Sequence, residues 1–292
     1  MTNGSTLPRR LLGRELRKAR EKANVSVEYA RAELSVSKQT FWRMENGLAI
    51  KINPLFVKRL CEIYGVPDGQ AQVLLSLTEE MKAKGWWHTF DGAFPPTFGL
   101  FVGMEAAADH VVSYQTTFMP GLLQTDDYRR AMFWAEFPNT SAKDVETTVA
   151  IAAKRRTRLV GNVHSLTLDA FIDESVLRRP TGSAAVMADQ LRHIAEFSRL
   201  PNVSVRVLPT SAGTYKGLLV GSFVLLEFPQ HPTAYLTEPP IVYIEGHAGD
   251  LYLEQPEEVA AYREVCTDIK RLALDEAESR NLILRITEEF NT

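Results

Sequence analysis

Apolar residues recur every three or four positions through the first 84 residues, which is the spacing of helices that pack on a common core. Leu12 and Leu16 follow this spacing in a first helix that opens near Pro8. Two short helices come next, then a fourth helix that begins at Pro54 and a fifth that ends near Lys84. Five helices in so short a stretch predict a small, mainly α domain.

The two short helices occupy residues 26–47 and are separated by a tight turn. Ser26 and Ser37 each stand immediately before one helix, where a hydroxyl can accept a hydrogen bond from a free backbone N–H. Gly47 ends the second helix, because glycine readily adopts the left-handed conformation found at helix C-termini. The pattern therefore predicts a helical hairpin whose two starts and final stop are marked in the sequence.

The second of these helices has an apolar face and a polar face. Phe41 and Met44 lie three positions apart and share one side of the helix. The opposite face suits a helix that enters the DNA major groove, since Gln pairs with adenine and Arg or Lys with guanine. An ordinary helical hairpin is the alternative interpretation. The base-contact candidates are Lys38, Gln39, Thr40, Trp42 and Arg43, and the phosphate-contact candidates are Ser26, Ser37 and Lys51.

From residue 102 onward, helical runs alternate with short runs of β-branched and aromatic residues. The predicted fold is therefore a mainly α N-terminal domain of five helices followed by an α+β C-terminal domain with a mixed sheet. Predicted strands cover 165–172, 203–208, 222–228, 241–245 and 251–253, and predicted helices cover 105–113, 145–159, 184–197, 256–274 and 275–285.

Residues 85–101 join the two domains and differ from both in composition. Six of these 17 residues are aromatic, three are glycine and two are proline, which indicates a linker. Trp86 and Trp87 either anchor the linker on the core of the second domain or line a groove for a ligand or partner. The predicted boundaries are 1–84 for a DNA-binding domain, 85–101 for the linker and 102–292 for a regulatory or partner-binding domain.

The net charge of −3 would by itself argue against nucleic-acid binding, but its distribution reverses the argument. Residues 1–60 hold 13 Lys or Arg and 5 Asp or Glu, a net charge of +8, so the remaining residues carry a net charge of −11. A basic first fifth favours a DNA-binding head on a body that does not bind DNA. The basic run at 154–158 ends a predicted helix, where cations are favourable, and we prefer that interpretation to phosphate binding.

The sequence carries no motif of a common enzyme class. No H-x-x-x-H or H-E-x-x-H pair, no G-x-S-x-G elbow and no glycine-rich phosphate loop is present. His164, Asp169, Asp173 and Glu174 can be drawn as an acid/base cluster, but the pattern favours the end of a strand followed by the start of a helix. We therefore expect no enzyme activity, no catalytic residue, no bound metal and no cofactor.

Sequence features also bear on location. No apolar run approaches the roughly 18 residues needed to span a membrane, and the charged N-terminus does not suit a signal peptide. Cys61 and Cys266 are far apart, which indicates neither a disulfide framework nor a metal site and fits a reducing compartment. We expect a cytoplasmic protein that is associated with the nucleoid when it is bound to DNA.

Features across the first domain resemble one known family. Leu34-Ser35-Val36-Ser37 forms the turn, Glu45-Asn46-Gly47 closes the second short helix, and Leu16-Arg17-x-x-Arg20 lies in the first helix. Together these features resemble the Xre/Cro-type helix-turn-helix of phage-repressor-like regulators. The resemblance implies binding to double-stranded DNA and a pairing of Arg20 with Glu45. Because this motif class usually needs two half-sites about one turn apart, we expect a homodimer on a pseudo-palindromic operator.

Three positions depart from that family pattern. Asn24 and Ser35 stand where relatives have glycine; Asn tolerates positive φ, and Ser35 should carry a modest strain. Arg31 stands where a small residue normally lets two helices approach, and Ala30 and Ala32 flank it.

The second domain resembles a domain of unknown function found in actinobacteria. The resemblance lies in Pro120-Gly121-Leu122-Leu123-Gln124-Thr125-x-x-Tyr128, Asp173-Glu174-x-x-Leu177-Arg178 and Val242-Tyr243-Ile244-Glu245-Gly246. Proteins of this architecture are described as antitoxin-like transcriptional regulators, often encoded beside a small acidic partner protein. The resemblance therefore implies a regulator, with repression the expected action, that such a partner modulates.

A small-molecule sensor is the alternative interpretation of the second domain, with a pocket near the aromatic linker and the 120–125 turn. Both interpretations place the ligand or partner at the same set of residues. The candidate surface consists of Trp86, Trp87, Pro120, Gly121, Leu122, Gln124 and Tyr128.

Overall fold

The computed structural model of the protein divides into two compact units. Unit 1 comprises Met1–Asp91 together with His231–Glu238, and unit 2 comprises Gly92–Gln230 and Pro239–Thr292. A segment far along the sequence therefore belongs to the N-terminal unit. The structure describes residues 6–48, 50–82, 96–161, 166–247 and 249–291.

The described part of unit 1 contains five helices, as the apolar spacing predicts. The side chains of Ser26, Ser37 and Asn53 cap three of them by accepting hydrogen bonds from backbone amides in the first turn. The fourth helix ends at Gly65, which has a left-handed φ of 66°. The helices are α1 (Thr6–Lys22), α2 (Val27–Glu33), α3 (Lys38–Glu45), α4 (Pro54–Tyr64) and α5 (Asp68–Glu80).

One apolar core holds unit 1 together. Leu12, Leu16, Phe41 and Leu60 are fully buried in it, and Leu236 from the distant segment packs into the same cluster. Burial of a leucine side chain stabilises a fold by about 1.5–3 kcal/mol, so Leu236 contributes to the stability of unit 1.

Leu55, in the first turn of α4, does not face this core, because 69% of the residue is exposed. The buried row of α4 runs through Val57, Leu60, Cys61 and Tyr64. Leu55 stands two positions before the first of these, and a shift of two positions turns a side chain to the opposite face of a helix.

Unit 2 is built on a six-stranded sheet with strand order β3-β2-β1-β4-β5-β6. β1, β2 and β3 are parallel, whereas β4, β5 and β6 are each antiparallel to the strand before them in the sheet. The prediction of a mixed sheet is therefore confirmed. The strands are β1 (His110–Gln115), β2 (Thr167–Asp173), β3 (Val203–Leu208), β4 (Phe223–Glu227), β5 (Ile241–Ile244) and β6 (Leu251–Leu253).

Eight helices accompany this sheet in the described residues. One long helix, Pro256–Leu272, buries Val259, Val265 and Ile269 in an apolar cluster with residues of the central strands. The helices are α6 (Pro96–Glu105), α7 (Asp126–Glu136), α8 (Ala142–Val160), α9 (Glu174–Arg178), α10 (Ala184–Phe197), α11 (Lys216–Val220), α12 (Pro256–Leu272) and α13 (Glu276–Glu289). None of the described helices is long and apolar enough to cross a membrane.

The predicted helix over 105–113 is wrong, because α6 ends at Glu105 and the central strand β1 begins at His110. Val111, Val112, Ser113 and Tyr114 are consecutive buried residues. A short strand with both faces covered shows no alternation, so apolar spacing cannot distinguish it from a buried helix. The helix α6 begins at Pro96, so its first turn lies within the stretch 85–101 that is predicted as a linker.

The outer edge of β3 is closed by groups from the C-terminal part of the chain. The amide of Val207 donates to the Ser279 hydroxyl at 2.9 Å. The carbonyl of Val207 accepts from the Leu274 amide, also at 2.9 Å. The edge strand is thereby tied to the start of α13.

Candidate nucleic-acid interface

The outer face of α3 carries the predicted base-contact residues. Phe41 and Met44 point into the core, and the opposite side of the helix is open to solvent. Trp42 is the largest exposed group there, with 55% of its surface accessible. The residues on this exposed face are Lys38, Gln39, Thr40, Trp42 and Arg43.

The two serines predicted as phosphate contacts serve first as helix caps. Ser26 Oγ accepts from the Tyr29 amide at 3.1 Å, and Ser37 Oγ accepts from the Thr40 amide at 3.0 Å. Ser37 Oγ also lies 2.9 Å from the Thr40 hydroxyl. Both groups of Thr40 are therefore bonded to the cap of α3. Lys51, the third phosphate candidate, is exposed in the loop before α4.

The turns around α2 use the two unusual residues as the sequence suggests. Asn24 and Ser35 both have a φ of 53°, in the left-handed region that favours glycine. The chain therefore keeps the backbone of a glycine-containing turn with two polar side chains in place of glycine.

Arg31 is the third departure from the family pattern, because it stands where a small residue is usual. Ala30 is fully buried and provides the small residue at which α2 meets the core. Arg31 is half-buried, and its Nε atom is buried with no hydrogen-bond partner in the described part of the chain. The buried small residue of α2 is therefore Ala30, the neighbour of Arg31.

Two arginines of α1 hold the C-terminal end of α3. Arg20 donates from Nε to Glu45 Oε1 at 2.7 Å and from its terminal nitrogen to Glu45 Oε2 at 3.0 Å. Hydrogen bonding to Glu45 is the main cause that raises the pKa of Arg20 above its ordinary value. Arg17 donates to the Glu45 carbonyl at 2.8 Å and to Asn46 Oδ1 at 2.7 Å. Asn46 in turn donates to the Trp42 carbonyl at 2.7 Å, so Arg17 is connected through Asn46 to the backbone of an exposed residue of α3.

The backbones of α1 and α3 approach closely because two glycines lie between them. A Cβ atom on Gly13 would stand 2.4 Å from the Met44 carbonyl oxygen. A Cβ atom on Gly47, which has a φ of 62°, would stand 2.6 Å from the Cα of Arg10. Any side chain at either position must move the exposed helix relative to α1.

The predicted ligand or partner surface of the second domain is only partly visible. Trp86 and Trp87 lie outside the described residues. Gly121 opens a short 3-10 turn and is half-buried. The other candidates are mostly enclosed in unit 2: Pro120, Leu122, Gln124 and Tyr128 are buried.

Hydrogen bonds explain why this turn is enclosed. Gln124 donates to the Met119 carbonyl at 2.8 Å, and Gln190 donates to the Leu123 carbonyl at 2.7 Å. The Thr125 amide donates to Gln190 Oε1 at 2.7 Å. Among the described residues, Gln124 Oε1 and Arg129 Nε are buried without a hydrogen-bond partner. Burial is also the main cause that lowers the pKa of Arg129 to about 10.

The basic run at the end of α8 is bound within unit 2 itself. Arg155 forms two 2.7 Å hydrogen bonds with Glu105, and its guanidinium lies over Phe98 and Phe101. Arg156 pairs with Asp126 at 2.9 Å. The run therefore fastens neighbouring elements together, which agrees with the preferred, non-phosphate interpretation.

The described members of the acid/base cluster drawn from the sequence, Asp169, Asp173 and Glu174, each have other partners. Asp173 caps α9 by accepting from the Ser175 amide at 2.9 Å, and Glu174 pairs with Arg178 at 2.9 Å. Asp169 instead lies 3.1 Å from His110 Nε2. His164 is outside the described residues. Among the described side chains, no group of three His, Cys, Asp or Glu is arranged to hold a metal ion.

His110 is the centre of an ion cluster that the sequence does not reveal. Its Nδ1 atom lies 2.7 Å from Glu227, so the imidazole bridges carboxylates on the two neighbouring strands. Hydrogen bonding to Asp169 is the main cause that raises the pKa of His110 to about 9. Because β1 was predicted as a helix, the pairing of these strands could not be foreseen.

Unit 2 also contains a groove of about 480 Å³ that the sequence gives no sign of. It lies between the residues that lead into β5, those that follow β6, and one side of α12. Its walls are mainly apolar, with two acidic residues and one arginine. The lining residues are Pro239, Pro240, Glu254, Pro256, Val259, Ala260, Arg263, Glu264 and Thr267.

Two protein-family models match the chain. A helix-turn-helix domain matches residues 11–74. This range includes most of α1, all of α2, α3 and α4, and the first part of α5. A domain of unknown function, DUF5753, matches residues 98–285, more than half of the chain. Neither a curated protein nor a solved structure matches it.

Proposed function

We propose that this chain, which belongs to the family defined by the domain DUF5753, is a sequence-specific transcriptional regulator of the Xre/Cro type. Its helix-turn-helix domain is of the class that binds DNA. The finer proposal rests on one observation: α3 exposes Lys38, Gln39, Thr40, Trp42 and Arg43 on one face, while two arginines of α1 hold its C-terminal end. A rigid, exposed helix of this kind can read base edges.

Each exposed residue of α3 has a proposed role. Gln39 reads adenine, and Lys38 and Arg43 read guanine, because these pairings match donors and acceptors in the major groove. Thr40 and Trp42 lie near the backbone or a thymine methyl group. Ser26, Ser37 and Lys51 contact phosphates, which position the protein and carry no sequence information.

The proposed target is a pseudo-palindromic operator bound by a homodimer. A single helix of eight residues reads few base pairs, and two copies related by a two-fold axis double the site. Repression in the cytoplasm is the expected outcome of such binding, in the manner of an antitoxin-like regulator.

Modulation through unit 2 has two candidate agents. The first is a small acidic partner protein from a neighbouring gene, which rests on the family resemblance. The second is a small molecule, which the 480 Å³ groove favours because ligand sites commonly have about 300–1,000 Å³ and mainly apolar walls.

Selection of bound sequences from a random duplex pool tests the main proposal. The full chain is used at one fixed, moderate salt concentration, since phosphate contacts make affinity depend on salt. Enrichment of a two-fold symmetric motif is expected. Binding that merely fades with rising salt, with no enriched sequence, would contradict a sequence-specific regulator.

Thermal unfolding of the full chain separates the two agents. A partner protein or a metabolite that binds the native state raises the melting temperature by mass action. The matched variant Ala260→Trp fills the groove, so it should abolish a metabolite-dependent shift. A shift caused by a partner protein that binds elsewhere should survive this replacement.

A further inference from the structure

The segment His231–Glu238 joins β4 to β5 of unit 2 and yet is part of unit 1. A short 3-10 turn, Ala234–Leu236, shapes it, and the Thr237 hydroxyl accepts from the His231 amide at 3.1 Å. Two strands of the unit 2 sheet are thus connected by a segment that is assigned to unit 1. The inference below rests on the proposed DNA-binding function.

Two residues fix the segment in unit 1. Leu236 is fully buried in the apolar core. Glu238 is almost completely buried and accepts from Arg10 Nε at 2.9 Å and from Arg14 at 2.6 Å. Arg14 also donates to the Thr237 carbonyl at 3.3 Å. One carboxylate therefore serves two guanidinium groups on consecutive turns of α1.

The same turns of α1 contact the end of the exposed helix. Gly13 lies against the Met44 carbonyl, and the Arg10 backbone lies against Gly47. One turn further on, Arg17 binds the Glu45 carbonyl and Asn46. The stretch from Arg10 to Arg17 is therefore held by the distant segment and itself holds the C-terminal end of α3.

We infer that His231–Glu238 couples unit 2 to DNA recognition, by holding α1 in the position that presents α3. Its two ends continue into β4 and β5, so a ligand or partner that shifts these strands acts on the segment through the chain itself. Release of the segment leaves Arg10 and Arg14 without their shared carboxylate and opens a cavity at Leu236. Coupling of this kind requires the segment to exchange between a docked form and a released form.

Charge alone predicts the opposite effect of removing Glu238. Loss of a negative charge makes unit 1 more basic, which strengthens attraction to phosphate. The coupling instead predicts weaker operator binding, because α1 loses the group that fixes it. The sign of the change therefore separates the two explanations.

The test compares Glu238→Gln with two matched controls in the full chain. Glu80→Gln removes the same charge from an exposed position of α5. Val57→Ala weakens the core of unit 1 at a fully buried site of α4. We expect Glu238→Gln to lose about tenfold in operator affinity, a typical size for coupling between sites, with each control close to the wild type. Equal losses in Glu238→Gln and Val57→Ala would reduce the effect to general destabilisation and overturn the inference.

Leu236→Val is a milder second variant that removes one methylene from the core. It should lower operator affinity in the same direction and by a smaller factor. If operator affinity is unchanged in both Glu238→Gln and Leu236→Val, the coupling is overturned.

Hydrogen exchange of the DNA-free protein distinguishes failure of the inference from failure of the proposed function. In Glu238→Gln the amides of α3 should exchange faster than in the wild type, while those of the unit 2 sheet remain unchanged. This readout needs no operator, so it stands even if selection enriches no sequence. Unaltered exchange in α3 overturns the coupling and leaves the DNA-binding proposal intact.

Discussion

Arg20 and Glu45 form a two-fold hydrogen-bonded ion pair that joins α1 to the last residue of α3. Both side chains are largely buried. Because removal of one partner leaves a buried charge, we expect Glu45→Ala to lower the free energy of unfolding by about 3 kcal/mol. Urea denaturation measures this change.

A second ion pair in the same unit is the control for this prediction. Arg59 and Glu33 lie 2.6 Å apart, but both are much more exposed. Glu33→Ala should leave stability almost unchanged, since solvent screens such pairs. Equal losses of unfolding free energy in Glu45→Ala and Glu33→Ala would mean that the buried Arg20–Glu45 pair stabilises the protein no more than an exposed pair.

Gly13 should not tolerate even a methyl group. Gly13→Ala places a Cβ atom 2.4 Å from the Met44 carbonyl oxygen, so α1 or α3 must move. We expect a loss of about 1–3 kcal/mol in stability, as for other overpacked sites, together with weaker operator binding. The control is Gly69→Ala, where no atom lies within 4 Å and a gain of about 0.4–1 kcal/mol is expected.

Gln39→Ala tests base reading. The variant should lose about 1–3 kcal/mol of binding free energy at the operator and little on random DNA. Titration of both duplexes at one salt concentration gives the two values. Gln72→Ala, at an exposed position of α5, is the control and should change neither. Equal losses on both duplexes would refute the assignment.

Lys51→Ala tests phosphate contact in the opposite way. It should weaken binding to operator and random DNA alike and reduce the slope of log affinity against log salt by about 1. Lys143→Ala, an exposed lysine of unit 2, should leave the slope as it is. A loss confined to the operator would assign Lys51 to base reading instead.

We expect the His110 cluster to make the free energy of unfolding fall as the pH rises above neutral. Because its carboxylate partners raise the folded-state pKa to about 9, the contribution is complete below the unfolded value of about 6.5. It is lost as pH rises from there through about 9. Melting temperatures across this range should fall in the wild type and change less in His110→Gln. His193→Gln should keep the alkaline loss, since burial lowers the pKa of His193.

Local signals in the sequence account for much of unit 1. Ser26, Ser37 and Gly47 mark helix ends by chemistry that acts over a few residues, and Phe41 with Met44 orients α3 by spacing alone. These effects need no knowledge of the rest of the chain. The exposed face of α3 could therefore be predicted.

Features that depend on distant residues could not be predicted. The strand at 110–115 has four consecutive buried residues, so it carries no alternation, and Val112 and Tyr114 pack against residues found much later in the chain. Glu238 pairs with arginines more than 220 positions away, and nothing near it in sequence signals that contact. The groove in unit 2 likewise arises where three separate segments meet.

The tied edge of β3 limits how this protein can associate. A free strand edge offers unpaired amides and carbonyls to any extended peptide, and such edges promote aggregation. At Val207 both groups are already taken, by the Ser279 hydroxyl and the Leu274 amide. Strand addition at this position would first have to detach the start of α13. Extension of the sheet by another chain is therefore hindered at this point of β3, and the other edge of the sheet is a strand of only three residues.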